Sequence, residues 1–255
     1  MQVIGKSSTL SNFNLINIFD PFQYYFVFNT RIPLWNNKNA RCIFFSRLKP
    51  EPLINIYGDR AKSADDFLPS GTLGYVKSEN YMGKIIAKFK GTPLPHKKSV
   101  CVFFVATSIE KNYRPAYVEM IKKIYPQTTT VLINNYTDLN KEIRKKKCDG
   151  TFYAAKSNYL EAYEYLVTFA EKGPSATGFH DIYLEKEIQK SQEIDQPDLR
   201  AKAYHHIIDY IKNQCLMYPL FTMPYDMAYV RNSFNATGIG EGAVNEYSLI
   251  NVKLK

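Results

Sequence analysis

A metal centre or an acid–base site needs ligating or titratable side chains that converge. His205 and His206 are adjacent in RAKAYHHIIDY. On a helix, neighbours point about 100° apart, so the two cannot reach one metal from one face. His96 and His180 have no partner at a metal-ligand spacing. Glu185 and Glu187 lie in the charged stretch DIYLEKEIQKSQEI, which reads as a solvated helix face. Neither HExxH nor GxSxG occurs. GKSST, Gly5 to Thr9, looks like the end of a phosphate-binding loop, but that loop needs a strand and an earlier glycine, and four residues precede Gly5. GIGEGA fits a loose GxGxxA at Gly238, Gly240 and Ala243, yet only twelve residues follow Ala243. A dinucleotide site needs a helix there and an acid further on. No catalytic constellation emerges, so the sequence reads as a binding protein rather than an enzyme, with no cofactor and no metal.

The 255 residues are 45% hydrophobic, enough for one large domain or two modest ones. With 20 Tyr and 16 Phe, aromatics can fill a core and also line a ligand cleft. The net charge is +9 and the pI is about 9.2. The densest basic run, Arg144 to Lys147, falls at the end of a predicted helix, where cations complement the helix dipole. One short run is not a nucleic-acid footprint, so no nucleic acid is expected. Cys42, Cys101, Cys148 and Cys215 are far apart and form no CxxC. Cys42 and Cys101 sit in apolar stretches and read as buried thiols, which leaves the redox compartment open. No stretch is long and apolar enough to span a membrane. MQVIGKSSTLSNFN lacks the apolar segment of a signal peptide, so either the chain is cytoplasmic or its true beginning lies elsewhere.

The elements that must position any site follow from periodicity. Residues 14 to 28 read as strands around a turn at Asp20-Pro21. NARCIFFSRL reads as a helix capped by Asn39, and Pro50-Glu51-Pro52 opens another that ends before Gly58. LPSGTLGY and the segment around Pro93 and Pro95 read as loops. SVCVFFVAT is a continuous apolar run, as in a strand buried on both faces. YRPAYVEMIKKIYP places Tyr117, Met120, Ile121 and Ile124 on one helical face. TTTVLINNY, TDLNKEIRKKK and DGTFYAA continue as strand, helix and strand, with Thr137 or Asp138 as the helix cap. That β-α-β-α-β order predicts a parallel sheet with right-handed crossovers. Three helical stretches follow, the first stopping at Gly173 and the last opening at Asp195 and Pro197. The tail from Met217 reads as extended, with Pro219 and Pro224 limiting strand pairing.

In that order the elements resemble the C-terminal lobe of family-5 extracellular solute-binding proteins, the oligopeptide, dipeptide and nickel receptors of ABC importers. The first match is Phe28-Asn29, Pro33, Asn36 to Asn39, Arg41, Gly58, Leu68 to Gly71 and Gly74-Tyr75. The second is Gly178-Phe179, Tyr183, Leu184, Asp195, Arg200, Tyr204, Ile211 and Pro219. Together they cover nearly the whole chain. The resemblance implies an α/β fold: a periplasmic-binding-protein-like lobe with a mainly parallel sheet flanked by helices. It divides the chain into 1–28, the end of a first lobe; 29–220, the C-terminal lobe; and 221–255, the return to the first lobe. Asn29, Arg41 and Arg200 are then structural, with Arg41 making a packing ion pair at its helix start.

The implied function is the solute-binding component of an ABC importer. It holds a peptide or related small polar solute between two lobes and docks on permease subunits, in the periplasm or at the cell surface. Family members are longer, so a missing N-terminal lobe, in the same chain or a separate one, is the expected partner. Tyr153, Lys156, Asn158 and Tyr159 stand at or after the C-terminal end of a parallel strand, where open α/β sheets place ligands, and are the candidate ligand-binding residues. Peptide-binding members often carry an acid near the position of Lys156. A cation there repels a peptide amine and favours a carboxylate. Two other readings stay open on the sequence: the sensing domain of a cytoplasmic transcriptional regulator, and a truncated remnant that binds nothing.

Overall fold

The computed structural model describes residues 13–18, 22–57, 61–64, 66–76, 81–105, 108–157, 160–169, 178–223, 225–230, 234–235 and 253–254. Their elements are β1 (Phe13–Ile18), β2 (Phe22–Phe28), α1 (Pro33–Asn36), α2 (Lys38–Phe45), α3 (Glu51–Tyr57), β3 (Lys62–Ser63) and α4 (Tyr81–Phe89). Then come β4 (Val100–Val105), α5 (Ser108–Lys122), β5 (Thr128–Ile133), α6 (Tyr136–Arg144), β6 (Gly150–Lys156) and α7 (Tyr163–Leu166). The remainder is α8 (Ile182–Gln192), α9 (Pro197–Asn213), β7 (Met217–Thr222) and β8 (Tyr225–Val230), with short strands β9 (Phe234–Asn235) and β10 (Lys253–Leu254).

Six strands form one mixed sheet in the order β3-β7-β2-β6-β4-β5. The β-α-β-α-β unit is present, and β4 pairs in parallel with both β5 and β6. Parallel pairing stops there. β2 enters antiparallel between β6 and β7, and β3 lies antiparallel on β7. The sheet is therefore mixed by pairing rather than mainly parallel. β2 is the reason: it arrives from outside the crossover unit and runs against it. Pro219 lies inside β7, opposite Tyr25, where the register shifts. β3 reaches only Phe221 and Thr222, so the proline falls beyond its ladder.

β2 is buried on both faces: Tyr25, Phe26, Val27 and Phe28 are each 0% exposed. Alternation along the strand serves two cores. Tyr24, Phe26 and Phe28 pack with Trp35, Phe44, Phe45, Phe104 and Phe152. Phe28 stacks on Trp35 with ring centroids 4.0 Å apart. Tyr25 and Val27 face Leu184, Ile188, Ile207 and Ile211 of α8 and α9. β6 begins with Gly150, where a Cβ would lie 2.6 Å from the Val27 carbonyl oxygen, so no other residue lets the strands approach this closely.

Local caps differ from the sequence reading by a few residues. The side chain of Asn37, not Asn39, caps α2, and Asn135, not Thr137 or Asp138, caps α6. Each asparagine oxygen accepts a backbone N–H of the first turn, Ala40 and Asp138 respectively. The basic run is exposed at the end of α6, and Lys145 and Lys147 pair with Glu142 at 2.6 and 2.7 Å. α4, a short amphipathic helix, is an addition to the sequence reading. Gly173 lies outside the described residues.

The cysteines correct the sequence reading outright. Cys42 and Cys101 are not thiols. Cys42 is bonded to Cys215 and Cys101 to Cys148, across Cα separations of 5.4 and 4.5 Å. Beside the first bridge the buried Arg41 guanidinium donates to four carbonyls: Trp35 at 2.7 Å, Asn36 at 3.0 Å, Gln214 at 2.6 Å and Cys215 at 3.1 Å. Its partners are carbonyl oxygens instead of the expected carboxylate. Burial pushes its pKa down, which the sum of these bonds opposes. Beside the second bridge Asp149 accepts from the Trp35 indole at 2.7 Å, the Cys101 N–H at 2.8 Å and Lys97 at 2.8 Å. Asn29 donates its side-chain amide to the carbonyls of Ile143 and Cys148 at 2.8 and 3.2 Å. Protein purified without reductant is expected to show no free thiol when denatured and alkylated. Cys42→Ala with Cys215→Ala is expected to cost about 2–5 kcal/mol in urea unfolding. Free thiols in the unreduced protein would contradict the pairing.

Candidate functional site

Strands β4, β5 and β6 point their C-terminal ends the same way, and that edge is where an open α/β sheet takes a ligand. Lys156 is the last residue of β6, half-buried, opposite Phe22. Tyr153 is placed differently from a cleft residue. It is 8% exposed, its ring meets Tyr136 edge-on at 6.0 Å, and its hydroxyl is hydrogen-bonded with Thr168. Burial raises its pKa. The reason is the strand's alternation. Phe152 and Ala154 face one core and Tyr153 and Ala155 the other, so both faces of β6 are covered and only its end is open. Asn158 and Tyr159 lie outside the described residues.

The chain leaves β6 through anchored residues. The Ser157 N–H donates to the Tyr165 hydroxyl at 3.2 Å, and the Glu161 N–H donates to the Ser157 hydroxyl at 2.8 Å. The Glu161 carboxylate accepts from Arg200 Nη2 at 2.9 Å and from the Tyr204 hydroxyl at 2.8 Å. Arg200 and Tyr204 are one turn apart on α9 and so share a face. A second loop, residues 66–76, joins the first: Leu73 N–H donates to the Leu160 carbonyl at 2.7 Å.

Beneath these loops lies a buried polar group. Asp66 pairs with Lys212 of α9, and Gln23 Nε2 donates to the carbonyls of Asp66 and Phe67 at 2.8 and 2.9 Å. The Tyr25 hydroxyl donates to Phe67 at 2.5 Å. Burial, with Tyr165, Tyr153 and Asp66 nearby, pushes the Tyr25 pKa well up, so it stays a donor. The sequence reading missed Glu161, Asp66 and Lys212. The side chains that their charged groups pair with are 39 or more residues away, and no local pattern marks them. His206 is at the surface, hydrogen-bonded to the Tyr183 hydroxyl at 2.8 Å. Among the described residues no group of three His, Cys, Asp or Glu side chains could hold a metal.

No protein-family model matches the sequence, and no curated protein does. Solved structures match over nearly the whole chain. HbpA2 from Haemophilus parasuis superposes with a TM-score of 0.74 at 15% identity, covering 96% of this chain and 50% of that one. The dipeptide binding protein from Pseudoalteromonas sp. SM9913, in complex with Met-Leu, gives 0.71 at 14% identity, covering 97% and 52%. The chain has the fold of about half of each of these structures. The oligopeptide-binding protein AppA from Bacillus subtilis, in complex with a nonapeptide, gives 0.69 at 14% identity, covering 96% and 53%. The chain thus spans about half the length of the structures it matches. This is the lobe fold that the sequence resemblance implied, with the sheet mixed instead of mainly parallel; AppA is an oligopeptide-binding protein and the Pseudoalteromonas protein a dipeptide binding protein.

Asp66→Asn leaves the Lys212 ammonium buried without its counter-charge. It is expected to destabilise the fold by about 3–5 kcal/mol in urea unfolding, and Asp66→Asn with Lys212→Met by clearly less. Equal losses in the single and the double variant would contradict a buried ion pair.

Proposed function

We propose that this chain is one lobe of a solute receptor for an ABC importer, holding a peptide or related small polar solute against a second lobe. The observation that carries the reading is the match of nearly all of this chain to about half of each of two peptide-binding structures. A second feature supports it. β1 precedes β2, β8 follows β7, and the two pair antiparallel from Phe13↔Val230 to Ile18↔Tyr225, outside the six-stranded sheet. The chain therefore enters and leaves this sheet through one two-stranded ribbon. We read that ribbon as the crossing to the first lobe, about which closure by hinge occurs. The division into residues 1–28, 29–220 and 221–255 is then close to the crossing, with β2 already inside the sheet of this lobe.

The paired cysteines favour an oxidising compartment, outside the cytoplasm, over the cytoplasmic sensor. No helix among the described residues is long and apolar enough to cross a membrane. At the ligand edge we assign Lys156, with Asn158 and Tyr159 of the loop that follows, to the solute. A cation at the end of β6 recognises a carboxylate by a charge-assisted hydrogen bond. The buried Tyr153 supports the edge from beneath.

The test uses the complete two-lobed protein and calorimetric titration with tripeptides. An unblocked tripeptide is expected to bind, its C-terminally amidated form to bind about tenfold more weakly, and Lys156→Ala to remove that difference. Equal affinity for the two forms in the unaltered protein would overturn the role of Lys156.

A further inference from the structure

The two loops at the ligand edge are held as one body by two side chains of α9. Glu161 closes the first loop, and both of its carboxylate oxygens are taken: one by Arg200, one by Tyr204. Arg200 Nη1 also donates to the Ile194 carbonyl at 3.1 Å, at the turn between α8 and α9. The Tyr204 hydroxyl accepts from Gln192 Nε2 at 2.9 Å, at the end of α8. The clamp therefore ties Glu161 to both helices.

Tyr204 touches the second loop as well. Gly74 has φ +93°, and a Cβ there would lie 2.9 Å from the Tyr204 Cβ. The ring thus packs directly on the backbone of residues 66–76 while its hydroxyl holds Glu161. Leu73 and Glu161 form an isolated parallel bridge between the same two loops. The unsatisfied groups cluster here too. Among the described residues, the buried side-chain atoms without a hydrogen-bond partner are Gln23 Oε1, Asp66 Oδ2, Thr72 Oγ1 and Arg200 Nε. Each lies in these loops or on a residue bonded to them.

We propose that Arg200 and Tyr204 are positioning residues for solute recognition: through Glu161 they hold residues 66–76 and 160–161 together as a single wall of the binding cleft. They do not touch the solute. They fix where Leu160 and Glu161 stand relative to the end of β6. This rests on the solute-binding reading for its purpose, but the coupling of the loops can be measured without any solute.

The test is hydrogen exchange on the full-length protein and its Glu161→Gln and Tyr204→Phe variants. Tyr204→Phe keeps the ring on Gly74 and removes only the hydroxyl. The amides of Leu73 and Glu161 are expected to exchange about tenfold faster in both variants, with β2 and β4 unchanged. Unaltered exchange at Leu73 and Glu161 would overturn the proposal, and so would acceleration spread evenly over the whole chain, which would mark a purely structural role. Titration with Ala-Ala-Ala is the second arm. If the unaltered protein binds it, both variants are expected to bind about tenfold more weakly, and equal affinity would overturn the positioning role. If the unaltered protein does not bind it, the peptide assignment fails at this probe, while the exchange result still decides whether the loops are clamped.

Discussion

Everything in this lobe is arranged around a strand that runs the wrong way. β2 enters antiparallel between β6 and β7 and is covered on both faces. It therefore cannot alternate apolar with polar residues. Its sequence, FQYYFVF, is aromatic but for Val27 and one amide, Gln23, which needs carbonyl partners from the 66–67 segment to be tolerated. Because β2 packs into a core on each face, helices must cover both sides: α2 and α5 on one, α8 and α9 on the other. That places α9 beside the 66–76 loop and gives Lys212, Arg200 and Tyr204 their contacts at the ligand edge.

The end of the sheet opposite that edge is fastened by polar and covalent means. Arg41 gathers carbonyls from α1 and from the turn between α9 and β7, next to the Cys42–Cys215 bridge. Asp149, held by Trp35, Lys97 and the Cys101 amide, does the same next to Cys101–Cys148. Both features bind parts of the chain that are far apart in sequence. They fasten the end of the sheet opposite the C-terminal ends of β4, β5 and β6.

How much of this was legible in the sequence depended on range. VCVFFV, TTTVLI and GTFYAAK announce strands by local composition, and the helices between them announce a parallel unit. The antiparallel placement of β2 has no local signal, since a doubly buried strand reads the same in either direction. Caps were misplaced by two or three residues because the asparagine-rich stretches offer several candidates to one helix start. The disulfides were missed because their cysteines are 173 and 47 residues apart, and an apolar setting describes a bridged cysteine as well as a free one. At the site, the strand end was legible but the direction of Tyr153 was not. That direction is set by which faces of β6 are covered, a fact of the whole fold. The clamp on Glu161 was invisible for the same reason.

The central claim is that this chain forms one wall of a two-lobed solute receptor. Native mass spectrometry of the protein isolated from its source cells under non-denaturing conditions tests it most directly. The account predicts a species well above 29.5 kDa, as a longer chain or a complex with a second lobe, that releases a small polar molecule on denaturation. A species of 29.5 kDa carrying no small molecule would contradict it.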